Sequence, residues 1–179
     1  IKAGIEMMMD TLNDILGKRA DTETTKKIKQ LLVEEPEVRG AYDLIIHNYG
    51  PNKNLASVHL ELPDTMTVEQ VDTLTRKLQS KVYHQTGVVI AGMGVYSYNT
   101  KNDESAKIQN TILETIMKHN WVLQMHGFYA DITKKEIRFD VVMSFEIDAK
   151  EGLKILNDEV SKLYSDYRIN IVLDIDVSD

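Results

Sequence analysis

His59 lies in the alternating run Leu55–Leu62, and Asp43 and His47 lie in the run before it, Ala41–Asn48. Two imidazoles and a carboxylate brought together in this way make a competent cation site. Zinc accepts neutral histidine nitrogen and carboxylate oxygen in tetrahedral geometry, and manganese tolerates more oxygen ligands and water. The competing reading is that they are ordinary polar residues on a half-solvated sheet face, because neither His-x-His nor His-Glu-x-x-His spacing occurs nearby. The chain contains no cysteine. Disulfides, thiolate nucleophiles and cysteine-based zinc sites are therefore excluded, and metal ligands must be His, Asp or Glu.

The elements that position these residues follow from the pattern around them. The two runs flank a polar turn containing Gly50-Pro51, which reads as a hairpin, and Thr67-Val68-Glu69-Gln70 supplies a Thr-x-x-Gln capping box for the helix that follows. Along the second run Val58, Leu60 and Leu62 should face the helices, leaving Ser57, His59 and Glu61 on the open face of the sheet. On the first run Leu44 and Ile46 take the helix side, which sends Asp43, Ile45 and His47 to that same open face. Face parity must match across a hairpin, so His59 lies opposite one of these three and diagonal to the others.

The wider pass finds this unit twice. Ile5, Met8, Leu12 and Ile15 fall on one helical face before a stop at Gly17, predicting a short amphipathic helix. Packing is the simpler role for Met7, Met8 and Met9 within it. From Asp21 the order is helix, hairpin, helix (stripe Val68, Val71, Leu74, Leu78, Val82) and strand (Gly87–Tyr98). After the hinge Asn99–Asp103 the same order returns. Ile108, Ile112 and Ile116 mark a helix, Val122–Ile132 and Ile137–Ile147 a strand pair, and Leu153, Leu156, Val160 and Leu163 a second helix capped by Asp148 and Glu151. Arg168–Val177 is the last strand. The fold class expected is α+β: two tandem ferredoxin-like αββαβ units, helices on one face of antiparallel or mixed sheets, preceded by the short helix. The divisions expected are 1–20, 21–99 and 103–179.

With 179 residues, 42% hydrophobic and 27% charged, the chain has a globular balance. Its net charge of −7 disfavours a phosphate-binding surface, so no nucleic-acid partner is expected. No apolar run approaches the roughly 18 to 20 residues that cross a bilayer. Because it begins with Ile, the chain is read as a fragment whose upstream part could hold membrane helices.

The stretch Val38–Asp72, VRGAYDLIIHNYGPNKNLASVHLELPDTMTVEQVD, resembles the cytosolic C-terminal domain of cation diffusion facilitator transporters, and IKAGIEMMMDTLNDILG resembles the piece after their last membrane helix. The resemblance covers about Ile1–Tyr98, and the second unit exceeds it. It implies a homodimer on the cytoplasmic face of a membrane, joined to the transmembrane domain of the same polypeptide, that senses divalent cations. By this comparison His59 matches the strand histidine and Asp72 replaces the helix histidine. Tyr42 and Gly94-Val95-Tyr96 stand where other ligands would be. Phenols, with pKa about 10, are poor zinc ligands, so of the ligands the resemblance implies only His59 and Asp72 survive; with Asp43 and His47 from the open face they make a candidate set for zinc, manganese or iron, or for no metal.

Other candidates carry simpler readings. His84 and His119 suit helix C-termini. His126 could face the open sheet of the second unit, but no recognisable ligand set surrounds it. Asp174, Asp176 and Asp179 make an acidic strand end that resists edge-to-edge pairing, with a weak cation site as the sharper alternative. Gly92-Met93-Gly94 marks close backbone approach or a bulge. No phosphate loop, dinucleotide fingerprint or Gly-x-Ser-x-Gly is present, so an enzyme is not expected. The alternative to the transporter domain is a tandem ferredoxin-like regulatory module that binds a small molecule or partner protein without metal.

Overall fold

A computed structural model describes residues 2–8, 22–50 and 53–174. Residues 2–8 are helical and exposed. The expected positions Leu12, Ile15 and Gly17, the turn residue Pro51, and Asp176 and Asp179 lie outside the described residues. Among the described residues no helix is long and apolar enough to cross a membrane.

The chain folds as two tandem αββαβ units of ferredoxin-like type. The first runs α1 (Thr22–Val33), β1 (Gly40–Asn48), β2 (Asn54–Pro63), α2 (Val68–Thr86), β3 (Val89–Tyr98); the second runs α3 (Glu104–Ile116), β4 (Val122–Asp131), β5 (Glu136–Met143), α4 (Ala149–Leu163), β6 (Arg168–Asp174). Each set forms a three-stranded sheet, β1-β2-β3 and β4-β5-β6. The compact units divide within β2 and β3: residues up to Leu60 and Thr67–Gly94 fall in the first, Glu61–Met66 and Val95 onward in the second.

In the first unit alternation governs β2, where Ala56, Val58 and Leu60 are buried while Ser57 and His59 are only partly so. Ile28, Leu31 and Leu32 of α1 and Leu74, Leu78 and Val82 of α2 supply the helix side of the core. Thr67 and Gln70 form the expected reciprocal box, with Thr67 N–H donating to Gln70 Oε1 at 2.8 Å and Gln70 N–H to Thr67 Oγ1 at 3.3 Å. Val68 belongs to the expected stripe but is exposed. It occupies the first helical position, where the helix has not yet turned its face to the sheet. Gly87 ends α2 in the left-handed conformation (φ 71°), its N–H donating to Tyr83 O.

Glu35, just beyond α1, ties that helix to α2. Its carboxylate accepts from Lys77 Nζ at 2.6 Å and Lys81 Nζ at 3.2 Å, and Lys81 also donates to the Leu31 carbonyl at 3.0 Å, one of the acceptors left over at the end of α1. The Lys77 hydrogen bond, then that of Lys81, holds the Glu35 carboxyl below its ordinary value of 4.5 against the opposing effect of burial. A depressed carboxyl pKa stabilises the fold fully above the ordinary value and is lost as pH falls through the folded one. Acidification below about pH 4.5 should therefore lower the urea midpoint of the parent more steeply than that of Glu35→Gln. Parallel curves would show that the tie contributes nothing to acid sensitivity.

In the second unit β4 and β5 are antiparallel and β5 and β6 parallel. The core gathers Ile108, Ile112 and Ile116 from α3, Ile137, Phe139 and Val141 from β5, and Leu156 and Val160 from α4. Two expectations change here. The strand expected over Ile137–Ile147 stops at Met143, because Ser144–Ile147 turn into the Asp148 cap, whose carboxylate accepts from Lys150 N–H and Glu151 N–H. Leu163, at the end of the α4 stripe, is exposed.

Candidate metal centre

The open face of the first hairpin brings two of the four expected residues together. His59 Nδ1 stands 2.8 Å from Asp43 Oδ2, with the carboxylate largely shielded and the imidazole partly open to solvent. The backbone of Asp43 makes this geometry: its φ of 54° is left-handed, a conformation L residues other than Asn and Asp seldom adopt. That single reversal inside β1 breaks the plain alternation and turns the carboxylate onto the imidazole. Backbone strain of this kind costs on the order of 1–3 kcal/mol and persists where surrounding structure enforces it.

Gly94 of β3 completes the pocket. A Cβ at this position would overlap Cδ2 and Nε2 of His59, whereas a Cβ at Gly92 would meet nothing within 4 Å. Close backbone approach, one of the two readings of Gly92-Met93-Gly94, therefore belongs to Gly94. The ring's Nε2 edge lies against Gly94, in the space that a side chain there would occupy.

The other two expected residues are placed differently. Asp72 is exposed on α2 and accepts from Arg76 Nε at 2.8 Å, an i,i+4 pair that holds its carboxyl below the usual range. His47 is exposed near the outer end of β1. Tyr42 is half-buried on β1, while Tyr96 donates through its hydroxyl to Asp140 Oδ2 at 3.1 Å. His84 contacts Tyr83 edge-on. His119 pairs with Glu159 at 2.9 Å and stacks on Trp121.

An imidazole that meets a carboxylate through one ring nitrogen presents the other as a metal ligand of fixed orientation. Asp43 and His59 have this relation. One group escaped sequence reasoning: Asp140, buried in the second unit and paired in register with His126. Its position opposite His126 is hidden from simple alternation by a bulge at Gly127.

Residues 20–90 match the family model described as cation efflux protein, cytoplasmic domain. No curated protein matches the chain. Among solved structures, a copper form of a MamM CTD variant is similar at 20% identity, covering 44% of this chain and 96% of that one with a TM-score of 0.37. A nickel form of another MamM CTD variant gives 20% identity, 44% and 98% coverage and the same TM-score of 0.37.

Proposed function

We propose, from the match of residues 20–90 to the model of a cation efflux cytoplasmic domain, that the chain is the dimerising, divalent-metal-sensing part of a cation exporter. In this reading residues 1–20 lead from the membrane helices of the same polypeptide, 21–99 form the dimerisation domain, and 103–179 are an added ferredoxin-like unit. The chain works by binding rather than catalysis, on the cytoplasmic face of the membrane.

The observation that carries the sensing role is the Asp43–His59 pair held by a left-handed backbone. His59 supplies Nε2 to the cation and Asp43 fixes the ring through Nδ1. One imidazole with carboxylate and water suits zinc or manganese. Arg76 occupies Asp72, so Asp72 contributes only if that exposed pair opens. A metal shifts the balance between two arrangements of a dimer only by binding one of them more tightly.

Sedimentation and calorimetry on the whole chain with zinc and manganese test this. The expected result is a dimer tightened by metal, with His59→Ala losing at least about 10-fold in affinity. Asp43→Asn, which keeps a side chain tolerant of the left-handed backbone, should lose binding with little loss of stability. A monomer at all concentrations, with and without either metal, would sink the reading.

A further inference from the structure

Asn99–Asp103 joins the two αββαβ repeats, and its sequence, Asn-Thr-Lys-Asn-Asp, has the composition of a polar linker. The structure ties it down instead. Asp64, in the corner between β2 and α2, accepts through Oδ1 from Thr100 N–H at 3.2 Å and from Thr100 Oγ1 at 2.6 Å. Its own N–H donates to Tyr98 O at 3.0 Å, at the end of β3. Backbone and side chain of one residue thus hold the chain on either side of Asn99.

The far end is fastened too. Asn99 Oδ1 accepts from Lys101 N–H at 2.6 Å, and Asn99 Nδ2 donates to Asp103 Oδ1 at 2.7 Å. That same Asp103 oxygen accepts from Ala106 N–H at 3.1 Å and so caps α3. Hydrogen bonds therefore run without a gap from the β2–α2 corner to the first turn of α3. Several end on a carboxylate, the kind that contributes more than a neutral pair. The Thr100 hydroxyl in particular holds the Asp64 carboxyl below its ordinary value of 3.8 against the opposing effect of desolvation, with the Thr100 N–H and the charge of Lys101 adding to it.

All of these residues fall in one compact unit, to which Glu61–Met66 and the chain from Val95 onward belong. The chain passes between the compact units elsewhere: in β2 between Leu60 and Glu61, and in β3 between Gly94 and Val95. These two strands are hydrogen-bonded neighbours.

We propose that Asn99–Asp103 is a clasp with Asp64 as its keeper. Closed, it fastens the ends of β2 and β3 to α3 as one body, and bending between the repeats is borne by the paired strands at His59–Glu61 and Gly94–Val95. In the proposed sensing role a cation on His59 then sits next to the point that bends. That consequence rests on the metal reading; the clasp does not.

Two measurements on the whole chain test the clasp. The chain has no cysteine, so Thr65→Cys and Asn110→Cys, both at exposed positions, place one spin label on the corner and one on α3. Pulsed paramagnetic resonance should give a single narrow distance, and Asp64→Ala should broaden it. Trypsin under native conditions should cut slowly after Lys101, and Asp64→Ala should raise that rate at least about 10-fold by removing two bonds to a carboxylate. Cutting after Lys134, in the β4–β5 turn, should keep its rate, because native-state cleavage follows local opening. Thr100→Ser, which retains the hydroxyl, should behave as the parent, and Thr100→Val should be cut faster. If Asp64→Ala speeds both cuts alike, Thr100→Val decides. A broad distance in the parent, or equal rates after Lys101 in the parent and the deciding variant, overturns the clasp and leaves a flexible linker. Neither readout involves metal, so its failure is distinct from a failure of the sensing role.

Discussion

Gly94→Ala is expected to weaken zinc or manganese binding at His59 by roughly 10- to 100-fold while leaving the melting temperature nearly unchanged. The new methyl would overlap Cδ2 and Nε2 of His59. Backbone atoms in that position would resist, but the imidazole is the far end of a partly exposed side chain and rotates away. Stability is largely spared because no core residue moves. Binding is not, because the rotation breaks the 2.8 Å relation to Asp43 and fills the space at Nε2. Gly92→Ala is the matched control, since a Cβ there meets nothing within 4 Å. Calorimetry on both variants should separate them clearly. Equal affinities would mean that the Nε2 edge of His59 is not where the cation binds.

The largest effect on stability is expected at Phe139. Its side chain is fully buried in the central strand of the second sheet, its backbone is in register with Ile171, and its ring lies 6.5 Å from that of Phe128. Phe139→Ala removes the largest fully buried side chain among the described residues and leaves a cavity that Ile112 and Leu156, on separate helices, cannot both move to fill. The cost should be about 3–5 kcal/mol. In urea the second unit should then unfold at lower denaturant, visible as a split transition by tryptophan fluorescence, because Trp121 packs against this core. A loss below about 1 kcal/mol, the range of volume-conserving core swaps, would show that the core repacks around the gap.

How far the sequence could be read depended on how regular the backbone was. Alternation placed Val58 and Leu60 inside and His59 outside, because β2 is unbroken. The capping box at Thr67 was legible because two side chains at fixed spacing define it. The Arg76 partner of Asp72 was also visible in principle: i,i+4 on a helix is enough to find it, and weighing Asp72 only as a ligand passed it over. What could not be read were the two places where the backbone reverses. Alternation put Asp43 on the open face with His59, but it did not show the left-handed turn that brings its carboxylate to 2.8 Å from the ring, and the bulge at Gly127 puts His126 opposite Asp140. Period-two reasoning has no means of anticipating either. The early end of β5 at Met143 has a similar origin, since Asp148 captures the chain as a cap before the apolar run is used up.

Those two reversals share a location. β1 and β4 each lie at one edge of their sheet, with β3 and β6 at the other, and each carries its left-handed residue, Asp43 or Gly127, within the strand. An outer strand with a straight backbone is a template on which another chain can lay a strand of its own. A reversal in mid-strand twists the row of amide and carbonyl groups out of line and spoils the template. Two copies of this chain that associate are therefore expected to meet through side chains on a face, without extending either sheet from one chain into the next across β1 or β4.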